Sequence, residues 1–124
     1  MAQPASERRT VLIVEDEFLI RMATAEVMRD AGFQVLEAST ADEAIVILEN
    51  RRDIRVVFTD IQMPGSMNGV KLAHAVRDRW PPVRIIATSG RQDVQEGQLP
   101  VGSIFFRKPY SPAEVAGTLH ALFA

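Results

Sequence analysis

The sequence predicts a doubly wound α/β domain, with five parallel strands and helices on both faces of the sheet. Apolar runs bounded by turn or cap residues alternate along the chain with segments of 3.6-residue periodicity. The runs Val11-Leu12-Ile13-Val14 and Val56-Val57-Phe58 are unbroken and rich in β-branched residues. Strands covered on both faces read this way, whereas a strand with one wet face alternates.

The elements follow in order. After the first strand, residues 17–31 place Leu19, Ile20, Ala23, Val27 and Ala31 on one side of a helical wheel, with Arg21, Glu26 and Arg29 opposite. Gly32 stops this helix. Val35-Leu36 is the second strand, and Thr40-Ala41-Asp42-Glu43 reads as a capping box opening a helix with the stripe Ala41, Ala44, Ile45 and Leu48. Beyond the third strand, residues 69–80 form a helix with Leu72, Ala73, Val76 and Trp80 inward, ended by Pro81-Pro82. Ile85-Ile86-Ala87 is the fourth strand. The segment 91–102 is weak, because Gly97, Pro100 and Gly102 interrupt it and only Val94, Leu99 and Val101 are apolar. A short or frayed fourth helix is expected there, one or two turns at most. Ile104-Phe105-Phe106 is the fifth strand. Ser111-Pro112-Ala113-Glu114, a second capping box with Pro at the first helical position, opens a final helix with Val115, Leu119 and Leu122 inward.

A chain of 124 residues with 47% apolar and 24% charged residues suits one ordinary core. The net charge of −2 and pI near 5.7 provide no broad basic field for nucleic acid, and no polybasic run points to an acidic membrane. There is no cysteine, so thiolate chemistry and disulfides drop out. Residues 1–9 lack the apolar core of a signal peptide and read as a disordered tail before a domain over 10–124. A cytoplasmic location is expected.

In a parallel sheet, ligands bind beyond the carboxyl ends of the strands. Those ends carry Glu15-Asp16-Glu17, Asp60, Thr88-Ser89-Gly90 and Arg107-Lys108-Pro109. If the first and third strands are neighbours, Glu15, Asp16 and Asp60 crowd together. Each like-charge pair at about 4 Å then opposes folding by about 4 kcal/mol at an effective dielectric near 20. Lys108 neutralises only part of this, and the all-oxygen set suits Mg²⁺. A carboxylate between Mg²⁺ and a lysine is a competent nucleophile toward phosphorus, which makes Asp60 the candidate for an aspartyl phosphate. No phosphate-cradling glycine pattern is present, so the donor is expected to be a phosphoprotein or a small phosphate donor.

Val11 to Asp16, the run Phe58-Thr59-Asp60-Ile61-Gln62-Met63-Pro64-Gly65-Ser66-Met67-Asn68-Gly69, then Thr88-Ser89-Gly90 and Lys108-Pro109, closely resemble the receiver domain of two-component response regulators. The resemblance implies a flavodoxin-like sheet of order 2-1-3-4-5. It implies Asp60 as phosphoacceptor, Asp16 as direct Mg²⁺ ligand, Glu15 as an acid reaching the metal through water, and the Gln62 backbone carbonyl as a further ligand. Lys108 matches the lysine that pairs with the acceptor and then the phosphoryl group. Phe105 matches the aromatic switch position, with no hydroxyl to signal through. The resemblance also implies a tight turn here, with a cis Lys108-Pro109 bond. Of Thr88 and Ser89, which must point to opposite faces, Ser89 is expected to meet the phosphoryl group, since Gly90 then occupies a position that is usually Ala or Gly. Gln62 and Arg91, each two residues past a site residue, are expected at the mouth of the pocket, modulating phosphoryl lifetime.

Taken singly these residues have plainer readings. Acids at a helix N-terminus favour its dipole, Met63-Pro64-Gly65 is an ordinary turn, and Thr88 or Ser89 can cap a helix. Only their conjunction points to phosphoryl chemistry. His74 and His120 lack ligand spacing and read as surface or boundary residues. The partners expected are a sensor histidine kinase or a histidine phosphotransfer protein, and a downstream protein target. Two alternatives stand beside this. A small Mg²⁺-dependent phosphohydrolase would carry an Asp-x-Asp nucleophile after the first strand, which Glu15-Asp16-Glu17 does not supply. A phosphorylation-independent scaffold has no need of intact Asp16, Asp60, Ser89 and Lys108.

Overall fold

The computed structural model describes residues 9–63, 65, 67–91 and 96–123. It contains β1 (Thr10–Val14), α1 (Phe18–Asp30), β2 (Gln34–Ala38), α2 (Ala41–Asn50), β3 (Ile54–Asp60), α3 (Gly69–Arg79), β4 (Arg84–Ser89), β5 (Ile104–Arg107) and α4 (Pro112–Leu122). The strands are parallel in the order β2-β1-β3-β4-β5, a flavodoxin-like sheet as expected.

Strand alternation divides the core in two. Leu12 and Val14 of β1, with Val57 of β3, pack under α2 and α3 against Ala44, Leu48, Leu72 and Val76. Val11, Ile13, Val56 and Phe58 point the other way, toward Ala25 and Met28 of α1 and Val115 and Leu119 of α4. Both faces of the central strands are therefore apolar, which is why their sequences run unbroken.

The helix ends are set by local chemistry. The hydroxyls of Thr40 and Ser111 each accept from the backbone N–H three residues on, at 3.1 Å, as the two capping boxes require. Glu43 departs from that pattern in one respect, since its carboxylate accepts from Ser39 Oγ at 3.0 Å. Asn68 caps α3 through the Lys71 N–H. Gly32, at φ +98°, closes α1, with its own N–H and that of Phe33 turning back onto the carbonyls of Arg29 and Met28.

One expectation is modified and another is met. The buried side of α1 carries Ala25 and Met28, with Arg21 partly buried beside them, while Leu19 is 71% exposed and Ala23 faces solvent. The inward stripe is thus rotated by roughly a quarter turn from the one the apolar pattern selects. The cause is Arg21: its guanidinium pairs with Glu37 at 3.3 Å and donates to the Glu15 carbonyl at 2.8 Å, so a charged side chain lies comfortably on the inner side. In the weak segment, the described residues hold one 3-10 turn at Glu96–Gln98, with Leu99 buried after it. Residues 92–95, like the first eight residues of the tail expected over 1–9, lie outside the described residues. The turn is held from α3, where the His74 ring meets the Gln98 carbonyl at 2.8 Å and Arg77 donates to the Val101 carbonyl.

Candidate phosphoacceptor site

The carboxyl ends of β1, β3, β4 and β5 deliver the side chains that the sequence singles out. Glu15 follows β1 directly and is tied to the neighbouring strand's end by its N–H on the Ala38 carbonyl at 3.0 Å. Asp60 is the last residue of β3 and Ser89 the last of β4. Lys108 follows β5, its N–H on the Ser89 carbonyl at 2.9 Å, and the Lys108-Pro109 bond is cis, as expected.

Carboxylate oxygens of Glu15, Asp16 and Asp60 lie within 4.8 Å of one another; Glu15 and Asp60 are buried and Asp16 is exposed. Lys108 Nζ donates to Asp60 Oδ2 at 3.1 Å and lies 3.6 Å from Glu15 Oε1. One ammonium therefore serves a cluster of three acids. Burial above all pushes the Glu15 carboxyl up to about 7, aided by the Asp60 charge and a hydrogen bond with Asp16, against the pull of the Glu17 N–H and Lys108. For Lys108, burial pulls the ammonium pKa down, but the Asp60 bond and the charges of Asp60 and Glu15 outweigh it, and the net shift is upward. A largely buried cluster in which burial disfavours the charged form of Glu15, and which offers only oxygen donors, fits a hard divalent cation such as Mg²⁺.

The other Asp60 oxygen, Oδ1, accepts from the Gln62 N–H at 3.3 Å. Gln62 also reaches Ser89, whose hydroxyl donates to Gln62 Oε1 at 2.7 Å and accepts from the Arg91 N–H at 3.0 Å. Gln62, Ser89 and the Arg91 backbone are thus joined in one hydrogen-bonded chain beside Asp60. A Cβ on Gly90 would meet Lys108 at ordinary contact distance, so this position has room for alanine. Phe105 on β5 is half-buried, with the Arg107 guanidinium 5.2 Å from its ring centre.

Two contributors act through contacts that the sequence does not show. Gly69 packs so closely against the end of β3 that a Cβ there would lie 2.3 Å from the Asp60 carbonyl oxygen and 2.6 Å from Ile61 Cα. Its N–H donates to the Ile61 carbonyl at 3.0 Å, fastening the start of α3 under the site. Arg21 is the second, because its bond to the Glu15 carbonyl steadies the turn that carries the acidic pair. Its apparent place on a polar helix face hid it.

A family model for the response regulator receiver domain matches residues 11–118. The chain belongs to that family. This receiver is 33% identical over 122 residues to the sensor kinase CckA of Brucella abortus, covering 95% of this chain and 13% of the relative. It is 31% identical over 119 residues to the phosphate regulon transcriptional regulatory protein PhoB of Pseudomonas aeruginosa, covering 92% of this chain and 51% of PhoB. The chain thus spans about half the length of PhoB and a much smaller part of CckA. A crystal structure of a response regulator receiver protein from Sinorhizobium medicae superposes with a TM-score of 0.86 at 27% identity, covering 94% of this chain and 95% of the other.

Proposed function

We propose that this receiver, as a domain over residues 10–124, is the phosphoacceptor of a two-component or phosphorelay system. In this reading Asp60 takes a phosphoryl group from the phosphohistidine of a sensor histidine kinase or histidine phosphotransfer protein. The observation that carries it is Asp60 itself: a buried carboxylate at a strand end, held by Lys108 Nζ on one oxygen and the Gln62 N–H on the other, beside two further acids.

One Asp60 carboxylate oxygen forms the new bond to phosphorus as the phosphorus–nitrogen bond of the donor breaks, and the imidazole nitrogen keeps the electron pair. Asp16, Asp60 and the Gln62 carbonyl, with Glu15 through water, would hold Mg²⁺, which when bound supplies charge stabilisation to the phosphoryl oxygens. Lys108 stays on the cluster and pairs with the transferred group. Ser89 releases Gln62 Oε1 and donates to a phosphoryl oxygen, and Phe105 turns inward. Gln62 and Arg91, at the pocket mouth, set how readily water reaches the phosphoryl group and so its lifetime. The chain catalyses its own phosphorylation and dephosphorylation, without turnover of a separate substrate.

The donor has a surface to approach. Phe18, Leu19 and Met22 on the first turns of α1 are exposed at 60%, 71% and 45%, next to the acidic turn. That apolar strip suits a helical donor presenting its histidine to Asp60. Output is a changed protein–protein contact and needs neither nucleic acid nor a membrane. No helix among the described residues is long and apolar enough to cross a bilayer, and the reading places the domain in the cytoplasm.

Incubation with acetyl phosphate and Mg²⁺, followed by borohydride trapping and mass spectrometry, tests the assignment. The label is expected on Asp60 alone and is expected to vanish in Asp60→Asn and in EDTA. A label that persists elsewhere under either condition overturns it.

A further inference from the structure

The opposite end of the sheet holds a feature that phosphoryl transfer leaves unused. Where α2 and α3 end and β3 and β4 begin, a cleft of ≈ 920 Å³ opens between residues 48–55 and 79–83. Its floor is apolar, made by Leu48, Ile54, Trp80 and Val83, and four arginines line it, at 51, 52, 55 and 79. Only two acids share the lining, and both are engaged. Asp53 takes Arg51 at 2.6 Å and Glu49 takes Arg79 at 2.7 Å. Arg52 and Arg55 are exposed and form no ion pair among the described residues. Two guanidiniums are therefore left uncompensated over an apolar floor, on a chain whose net charge is −2.

We propose that this groove docks an acidic segment of a partner protein, one carrying an apolar side chain between carboxylates, independently of the phosphoacceptor site. Uncompensated arginines favour carboxylates, which they bind through paired N–H donors. The floor favours an apolar anchor. Helix ends decide between a peptide and a phosphate compound. α2 and α3 both present their carboxyl ends here, which repel a phosphate group not otherwise contacted. Arg51, the residue closing α2, is extended, with no capping backbone bond among the described residues, so the last-turn carbonyls around Leu48 and Glu49 stand ready for N–H donors. A peptide brings both carboxylates and N–H groups; a phosphate compound brings only anions. Ile54 and Asp60 stand at opposite ends of β3, six residues or about 20 Å apart, so a partner here leaves the phosphodonor's approach clear.

The molecule carries its own reporter, since Trp80 is the only tryptophan and lies in the groove, one face covered by the Arg79 guanidinium at 4.4 Å. The test titrates the whole chain with a synthetic ten-residue peptide of alternating glutamate and leucine and follows Trp80 fluorescence. A saturable change is expected, weakened at least tenfold in Arg52→Glu/Arg55→Glu and by 0.5 M salt, and weakened less in Arg52→Gln/Arg55→Gln. Lys71→Glu, at the far end of α3, and Asp60→Asn should both bind within twofold of the parent. The proposal is overturned by the absence of a saturable response, by equal binding in the double charge reversal, or by equal affinity for a glutamine–leucine peptide. Tripolyphosphate binding as tightly as the glutamate peptide would overturn it too, since simple anion attraction would then be enough.

Discussion

The two ends of the sheet handle charge in opposite ways. At the carboxyl end, three acids and one lysine are drawn together, two of the acids buried, with repulsion that the fold tolerates without relieving. At the amino end, Arg51 pairs with Asp53 and Arg79 with Glu49 near the surface, where water screens what is left over. Solvated pairs cost little and contribute little; buried excess charge costs several kcal/mol unless something neutralises it. The difference sets the two ends apart: the carboxyl end holds buried excess charge of a kind that suits a hard divalent cation.

The largest expected effect breaks the frame under the acidic end. Gly69→Ala forces a methyl group into the Asp60 carbonyl and should cost about 3 kcal/mol or more in urea denaturation, with loss of acetyl phosphate labelling. A change under about 0.5 kcal/mol would mean that the acceptor turn is free to shift. Next is Lys108→Met, which leaves Glu15 and Asp60 facing each other without a cation. Discounted for the partial exposure of the lysine, the cost should be about 2 kcal/mol in EDTA, and Mg²⁺ should recover part of it.

A pH titration sharpens the same contrast. Between about 4.5 and about 7 the folded, metal-free protein keeps a proton on Glu15 that the unfolded chain has released. The native state then binds more protons than the unfolded one, so stability falls as pH rises through this window, on the order of 1–2 kcal/mol after allowance for screening. Lys108, raised from its ordinary value, contributes stability that is lost only in the alkaline range and does not enter this window. Melting curves in EDTA from pH 5 to 7.5 should therefore slope downward, and Mg²⁺ should flatten or reverse the slope. A flat EDTA profile would show that the cluster is better solvated than its burial implies. The smallest effect belongs to the other end: Arg79→Met, with both partners nearly half exposed, should change stability by less than about 0.5 kcal/mol.

What the sequence made legible was local or combinatorial. Caps at Thr40 and Ser111 declare themselves within four residues, and the strand ends Glu15, Asp60, Ser89 and Lys108 share an edge once the strands are taken as parallel. What escaped depended on partners distant in the chain. Arg21 lies inward because Glu37, sixteen residues on, accepts its charge, and wheel geometry alone assigns a charged residue to the outside. Asn68 and Gly69 were visible as residues of a motif, but the contact of Gly69 with the Asp60 backbone exists only after β3 and α3 have docked. The segment around 96–98 is read correctly as weak. The clasp that His74 and Arg77 place on it from α3 has no sequence signal.

The hydrogen bond from Ser89 to Gln62 has a consequence for how the domain keeps time. Because the hydroxyl is already satisfied at 2.7 Å, a phosphoryl group that recruits it exchanges one acceptor for another. The driving force is only the margin of a charge-assisted bond over a neutral one, about 1 kcal/mol. On the proposed reading, such a margin makes a shallow latch, easily tripped and easily reset, and the length of a signal is then governed by the survival of the phosphoryl bond and hardly at all by the stiffness of the protein that reads it.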